Sequence, residues 1–213
     1  GVSENGGADT GGADRWHSCL DRCGLSDPEG QLLAELEALY AEPHRKYHNL
    51  QHVLDCLGHL ESIPIEGADT EALELAFWFH DAIYSPFKGD NEQASADLAI
   101  NRLSALGAGV ELRDKVHRLI MVTTHDATPR DVDESVMIDI DLAILGSAQE
   151  IFEAYETNIR REYKLVPGPL FRRKRKAILE SFLARPAIYH TEVFRHRLEA
   201  AARSNLQWAI SRL

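Results

Sequence analysis

Apolar residues recur at three-to-four spacing along nearly all of the chain from Trp16 onward, the period of helices that each bury one face. Leu32, Leu33, Leu36, Leu39 and Tyr40 form the first clear stripe, after Asp27-Pro28, which reads as a helix cap followed by a first-turn proline. A loop over 41–47 carries Pro43, and Val53, Leu57 and Leu60 mark a second helix from about Asn49 to Ser62. A strongly apolar third, 70–83, ends ahead of Pro86 and Gly89, and a fourth runs from about Asp90 to Leu106, where Gly107 and Gly109 punctuate the pattern. Five more fit 110–124, 134–145, 148–163, 170–183 and 191–208. Strand-like alternation is confined to Val136–Ile140. The pattern predicts one all-α domain over residues 15–213, a bundle of about eight or nine helices.

Composition narrows the function classes. Of 213 residues 44% are hydrophobic, enough for a real core, and 34 acidic against 23 basic side chains give a formal net charge of −11. So acidic a chain repels a bare phosphate backbone, so no nucleic-acid polymer is expected as partner. A small phosphorylated ligand in a locally basic pocket stays compatible with that charge. Three cysteines make no disulfide framework and suit a reducing compartment; Cys19 and Cys23, one helical turn apart, fit core thiols better than a metal site. Residues 1–14, Gly- and Asp-rich, lack the apolar stretch of a signal peptide and read as a disordered tail or an expression remnant. The densest apolar run, Leu73–Phe79, is far short of the roughly 18–20 residues that span a bilayer, so no membrane is expected and the cytoplasm is the expected location. The oligomeric state is not legible.

The candidate chemistry lies in the histidines and in acids set among apolar residues. His48 and His52 are four apart and share a face if a helix starts there. His80-Asp81 follows Ala76-Phe77-Trp78-Phe79 at the end of an apolar helix. Adjacent helical residues diverge by about 100°, so the pair reaches one ligand only at a helix end. A divalent metal would satisfy both; so would a carbonyl for His80 and a capping role for Asp81. Asp139 and Asp141 sit within Met137-Ile138-Asp139-Ile140-Asp141-Leu142, either as outward markers of an amphipathic segment or as buried ligands. His117 and His125 fall on the preceding helix.

In order, His52, His80-Asp81 and Asp141 lie on three separate predicted helices, and this set resembles the HD superfamily of metal-dependent phosphohydrolases. The runs Arg45–His52, Phe79–Tyr84, Asp90–Ala96 and Asp139–Gly146 are similar to a bacterial subfamily of predicted members, as are Ile159–Tyr163, Arg175 with Leu179, and Glu199–Leu206. The likeness spans roughly residues 28–208. It implies an HD-like helical bundle in which His52, His80, Asp81 and Asp141 bind metal. His52 is taken over His48 for its Val53 and Leu57 context, and Asp141 over Asp139 for its Leu142 neighbour. Two histidines and two carboxylates suit one divalent ion (manganese, iron, cobalt, nickel or magnesium) over a closed structural zinc site. The implied activity is phosphate ester or anhydride cleavage of a small molecule, a nucleotide among the candidates, by metal-activated water. Asp81 and Glu92 are the candidate catalytic residues, Glu92 as general base or, alternatively, as a first-turn acid of its helix. Arg45, His48, His125, Arg160 and Arg175 are the candidate substrate-binding residues. Two other readings stand beside this one: a non-catalytic metal or nucleotide sensor on the same fold, and an HD-type di-iron oxygenase, which needs further ligands.

Overall fold

The computed structural model describes residues 11–213, and the described chain is all-helical: ten α-helices, two short 3-10 turns and no strand. The helices are α1 (Gly12–Arg22), α2 (Gln31–Tyr40), α3 (Leu50–Ser62), α4 (Thr70–Phe79) and α5 (Asn91–Ala105), then α6 (Val110–Met121), α7 (Val132–Asp141), α8 (Gln149–Glu162), α9 (Gly168–Leu183) and α10 (Glu192–Ser211). The expected tail falls mostly outside the described residues, but its last three residues already belong to α1. That helix adds one to the sequence count because its stripe is short: Trp16, Cys19 and Leu20 alone point inward.

Helix α4 is the spine. Its Leu73, Leu75, Ala76, Phe77, Trp78 and Phe79 are all fully buried, its polar residues being confined to Thr70, Glu71 and Glu74 near the start, and α1, α3, α5, α6 and α7 pack around it. Helix α10 lies against the 3-10 turn Ala143–Gly146 so closely that a Cβ on Gly146 would sit 2.7 Å from Leu198 Cβ, which requires glycine there. Asp27 caps α2 from an unexpected distance. The N-cap is Gly30, while the Asp27 carboxylate accepts the N–H groups of Leu32 and Leu33 and the Trp16 indole N–H, at 3.2, 3.0 and 3.0 Å. Pro28 therefore precedes the helix and is not its first turn. The alternation at Val136–Ile140 is helical, since α7 is buried on several sides. No helix among the described residues is long and apolar enough to cross a membrane.

Candidate metal centre

The termination of α4 sets up the site. The helix stops at Phe79, and its last carbonyls find partners outside the helix: Trp78 O accepts from the Tyr40 hydroxyl at 2.8 Å, and Phe77 O from His80 Nδ1 at 2.7 Å. The Arg45 guanidinium then donates to Asp81 O and Ala82 O, 2.6 Å each, and to His48 O at 3.1 Å. With the chain held in this non-helical turn, two adjacent side chains converge. His80 Nε2 and Asp81 Oδ2 are 3.1 Å apart.

Two further helices bring their donors to the same place. Asn49 caps α3 and accepts the His52 N–H, which sets the start of the helix so that His52 faces inward. His52 Nε2 lies 3.1 Å from His80 Nε2, 3.2 Å from Asp141 Oδ1 and 3.4 Å from Asp81 Oδ2. Asp141, the last residue of α7, also stands 3.3 Å from His80 Nε2. Because Phe77 O takes the Nδ1 proton, His80 presents Nε2 to the cluster. Asp141 Oδ2 is oriented in turn by His125 Nε2 at 2.8 Å. His125 holds a left-handed backbone conformation, φ 61°, and its buried Nδ1 has no partner among the described residues. The thiol of Cys56, one turn after His52 on α3, lies 3.9 Å from both His52 ring nitrogens. It was missed in the sequence, although His52-x-x-x-Cys56 is a same-face spacing.

The donor set fits a metal ion. His52, Cys56, His80 and Asp141 each offer a ligand atom, all within 4.8 Å of one another, and Asp81 adds a carboxylate beside both histidines. Among the described residues no Lys or Arg side chain pairs with either carboxylate, so two partly buried negative charges face one point with imidazoles only. Burial pushes the Asp141 carboxyl up, but hydrogen bonds from His125, His52 and His80 outweigh it and keep it ionised well below the usual range. Burial likewise pushes the Cys56 thiol up, with Asp141 and Asp81 adding to it, so a carboxylate is the readier donor of the two.

The remaining sequence candidates separate clearly. Asp139 is not part of the cluster; its carboxylate accepts the backbone N–H groups of His190 and Thr191 and the Thr191 hydroxyl, 2.7 to 2.8 Å, fastening α7 to the start of α10. Of the three arginines assigned to substrate, none presents a free guanidinium to the cluster. Arg45 clamps the His-Asp turn and pairs with Glu42, Arg160 donates to Tyr163 O and Val166 O at the end of α8, and Arg175 is buried against Glu156 and the Tyr155 ring. A buried guanidinium needs such partners, and the sequence does not show which carbonyls lie near. His48 faces the site. Its Nδ1 donates to Glu162 Oε1 at 2.7 Å, and its ring stacks on Tyr84 with centroids 4.3 Å apart. Glu92, in the first turn of α5, has no side-chain partner among the described residues; burial raises its pKa, and the Asp81 and Asp141 charges add to the effect.

Glu162 is the main residue that sequence reasoning passed over. One carboxylate oxygen accepts three consecutive N–H groups, of Lys46, Tyr47 and His48, all at 2.9 Å, while the other takes His48 Nδ1 and the Tyr84 hydroxyl. Burial pushes its pKa up, yet the His48 hydrogen bond and charge, with the N–H groups of His48 and Tyr47, hold it at about 2. A cleft of about 560 Å³ opens beside the cluster between α3 and the turn leading into α8, with His52, Cys56 and Asp141 at its inner end. Comparison with known proteins finds no family model, no curated protein and no solved structure that matches the chain.

Proposed function

We propose that this chain is a metal-dependent phosphohydrolase acting on a small phosphorylated molecule. The observation that carries the reading is the convergence of His52, His80, Asp81 and Asp141 from the starts and ends of three helices, nitrogen to oxygen at 3.1 to 3.4 Å, the histidines buried and the carboxylates partly so, without a cationic Lys or Arg side chain to pair them. Two nitrogens and two oxygens suit a borderline-hard divalent ion such as manganese, iron, cobalt, nickel or magnesium. An ion held there supplies a water of lowered pKa and polarisation of a phosphoryl oxygen.

The chain's own residues supply the rest. Glu92, in no ion pair among the described residues and with its pKa raised by burial, accepts the proton of the attacking water. His48, fixed through Nδ1 by Glu162, presents its Nε2 to a phosphoryl oxygen or to the leaving group. His125 keeps Asp141 turned toward the histidines. The order of the donors along the chain and the His80-Asp81 pair support placement among HD phosphohydrolases.

The test is metal content by plasma mass spectrometry, followed by phosphate release from a panel of phosphate esters and anhydrides with Mn²⁺, Co²⁺ or Mg²⁺. About one metal per chain with metal-dependent release is expected. His80→Ala and Asp81→Ala should each lose the metal with helical circular dichroism intact; unchanged metal content would sink the assignment. Metal without turnover on any ester would instead support the sensor reading.

A further inference from the structure

The cleft beside the metal cluster differs in chemistry from the rest of the surface. Its walls are the outward face of α3 and the stretch from the 3-10 turn into α8, and its floor contains His52 and Asp141. No Lys or Arg lines it. Leu54, Ile144, Ile151 and Leu198 give it apolar walls, and Ser62, Ser147 and His59 give it neutral polar points. Ser62 and Ser147 spend their protons on the His59 and Ile144 carbonyls, at 3.4 and 2.7 Å, so each offers an acceptor to the cleft. Basic residues gather elsewhere: Lys46, Arg161 and Lys164 line a separate cleft beyond Tyr84 and Glu162.

Gly58 is the second observation. It sits mid-helix in α3, where glycine costs about 1 kcal/mol against alanine. Its φ is not in the positive range, and a Cβ placed on it meets nothing within 4 Å. Neither backbone conformation nor packing requires glycine there. What its lack of a side chain does is leave the cleft wide on the face four residues from Leu54 and Ser62.

We propose that this cleft holds the uncharged, part-apolar organic group of a phosphomonoester whose phosphate is directed at the metal position that His52, His80, Asp81 and Asp141 would hold. The inference rests on the proposed function for the phosphate end and names its substrate class. The volume falls within the roughly 300–1,000 Å³ of small-molecule sites, and continuity with two donor residues sets the direction of entry. A polyphosphate chain in this cleft would meet Asp55 and Asp141 and no fixed cation.

The test uses the full chain carrying Glu92→Gln, which lacks the proposed base and so slows turnover, loaded with Mn²⁺, with 1-naphthyl phosphate and inorganic phosphate as probes and isothermal titration calorimetry as readout. We expect 1-naphthyl phosphate to bind at least about tenfold more tightly than inorganic phosphate. Gly58→Phe, whose ring enters open space, should abolish that advantage while phosphate affinity, Mn²⁺ content and circular dichroism stay unchanged. Gly58→Ala serves as the fold control. Equal affinity for the two probes, or an advantage that survives Gly58→Phe, overturns the proposal. Should the chain retain no metal and release no phosphate, the hydrolase reading fails and the cleft is judged on 1-naphthol alone with metal-free protein. Saturable binding that Gly58→Phe abolishes then supports it, and no binding overturns it.

Discussion

Glu162 places five hydrogen bonds on one carboxylate and ties the loop before α3 to the end of α8. Its depressed pKa has a consequence for stability. A group held at about 2 in the folded chain, against an ordinary value of about 4.5, contributes stability that is fully present above pH 4.5 and lost as pH falls through 2. The full span is about 3 kcal/mol, of which about 2 is gone by pH 3. Urea unfolding at pH 7 and pH 3 should therefore show wild type losing about 2 kcal/mol more than Glu162→Gln. Equal losses would mean the carboxylate is not held ionised. The two aspartates of α7 separate in the same residue-level way. Asp141→Ala should abolish metal retention in a folded chain, while Asp139→Ala should lower stability by about 2–4 kcal/mol, leaving three buried donors unpaired, yet keep metal in the fraction that folds. Sequence alone favoured Asp141 over Asp139 only through its neighbour Leu142. Both acids are embedded among apolar residues, and which one faces the histidines depends on how α7 is rotated against α10. The meeting of His52 with His80-Asp81 was legible, since acid and imidazole after four consecutive large or apolar residues, Ala76 to Phe79, need a partner. The fates of Arg45, Arg160 and Arg175 were not, since apart from Glu42 beside Arg45 their acceptors are backbone carbonyls and Glu156, which no spacing rule predicts.

At the scale of elements, the centre is built from helix termini, where side chains leave the helical register. His80 and Asp81 follow the end of α4, Asp141 closes α7, and His52 lies in the first turn of α3. Hydrophobic periodicity located α4 well but ran it to Ile83, because Ala82 and Ile83 resume the apolar pattern after His80-Asp81; Tyr40, Arg45 and Ser95 satisfy the backbone there and end the helix. Arg45 is thus a positioning residue for the His-Asp turn. Arg45→Met, which keeps the apolar stem, should weaken metal binding by about 10–100-fold through misplacement of Asp81. The retained metal measured by equilibrium dialysis, with circular dichroism as control, decides this; an unchanged Kd would return Arg45 to a purely structural role. The same reasoning applies to Asp27, whose carboxylate serves α1 and α2 together. Asp27→Ala should cost about 2–3 kcal/mol in urea unfolding without touching metal content, since it strands Leu32, Leu33 and Trp16 donors far from the cluster.

Over the whole molecule, the four proposed donors fall between residues 52 and 141, yet the C-terminal helices reach back and hold each part of the site. Glu162 of α8 fixes the loop that carries His48, and Asp139 ties α7 to α10 through His190 and Thr191. Arg185 donates to His125 O at 2.8 Å, which steadies the strained residue that orients Asp141. Tyr155, backed by Arg175, packs its ring on Tyr47, and Tyr47 lies against the His52 ring at 4.7 Å. Helix α10 adds Phe194 and Leu206 to the core and closes over Gly146, two residues beyond Ile144. The arrangement of the four side chains therefore depends on contacts 51 to 116 residues apart in sequence, from Asp139 with His190 to Lys46 with Glu162. A chain ending at Ala148 keeps all four donors but loses every one of these supports. We expect it to retain no Mn²⁺ after dialysis and to show a helical circular dichroism signal that melts without cooperativity, because Asp139 loses its partners and the 3-10 turn Ala143–Gly146 loses the α8 and α10 helices packed on it. Retention equal to that of the full chain would show that the residues up to Ala148 organise the site without α8–α10.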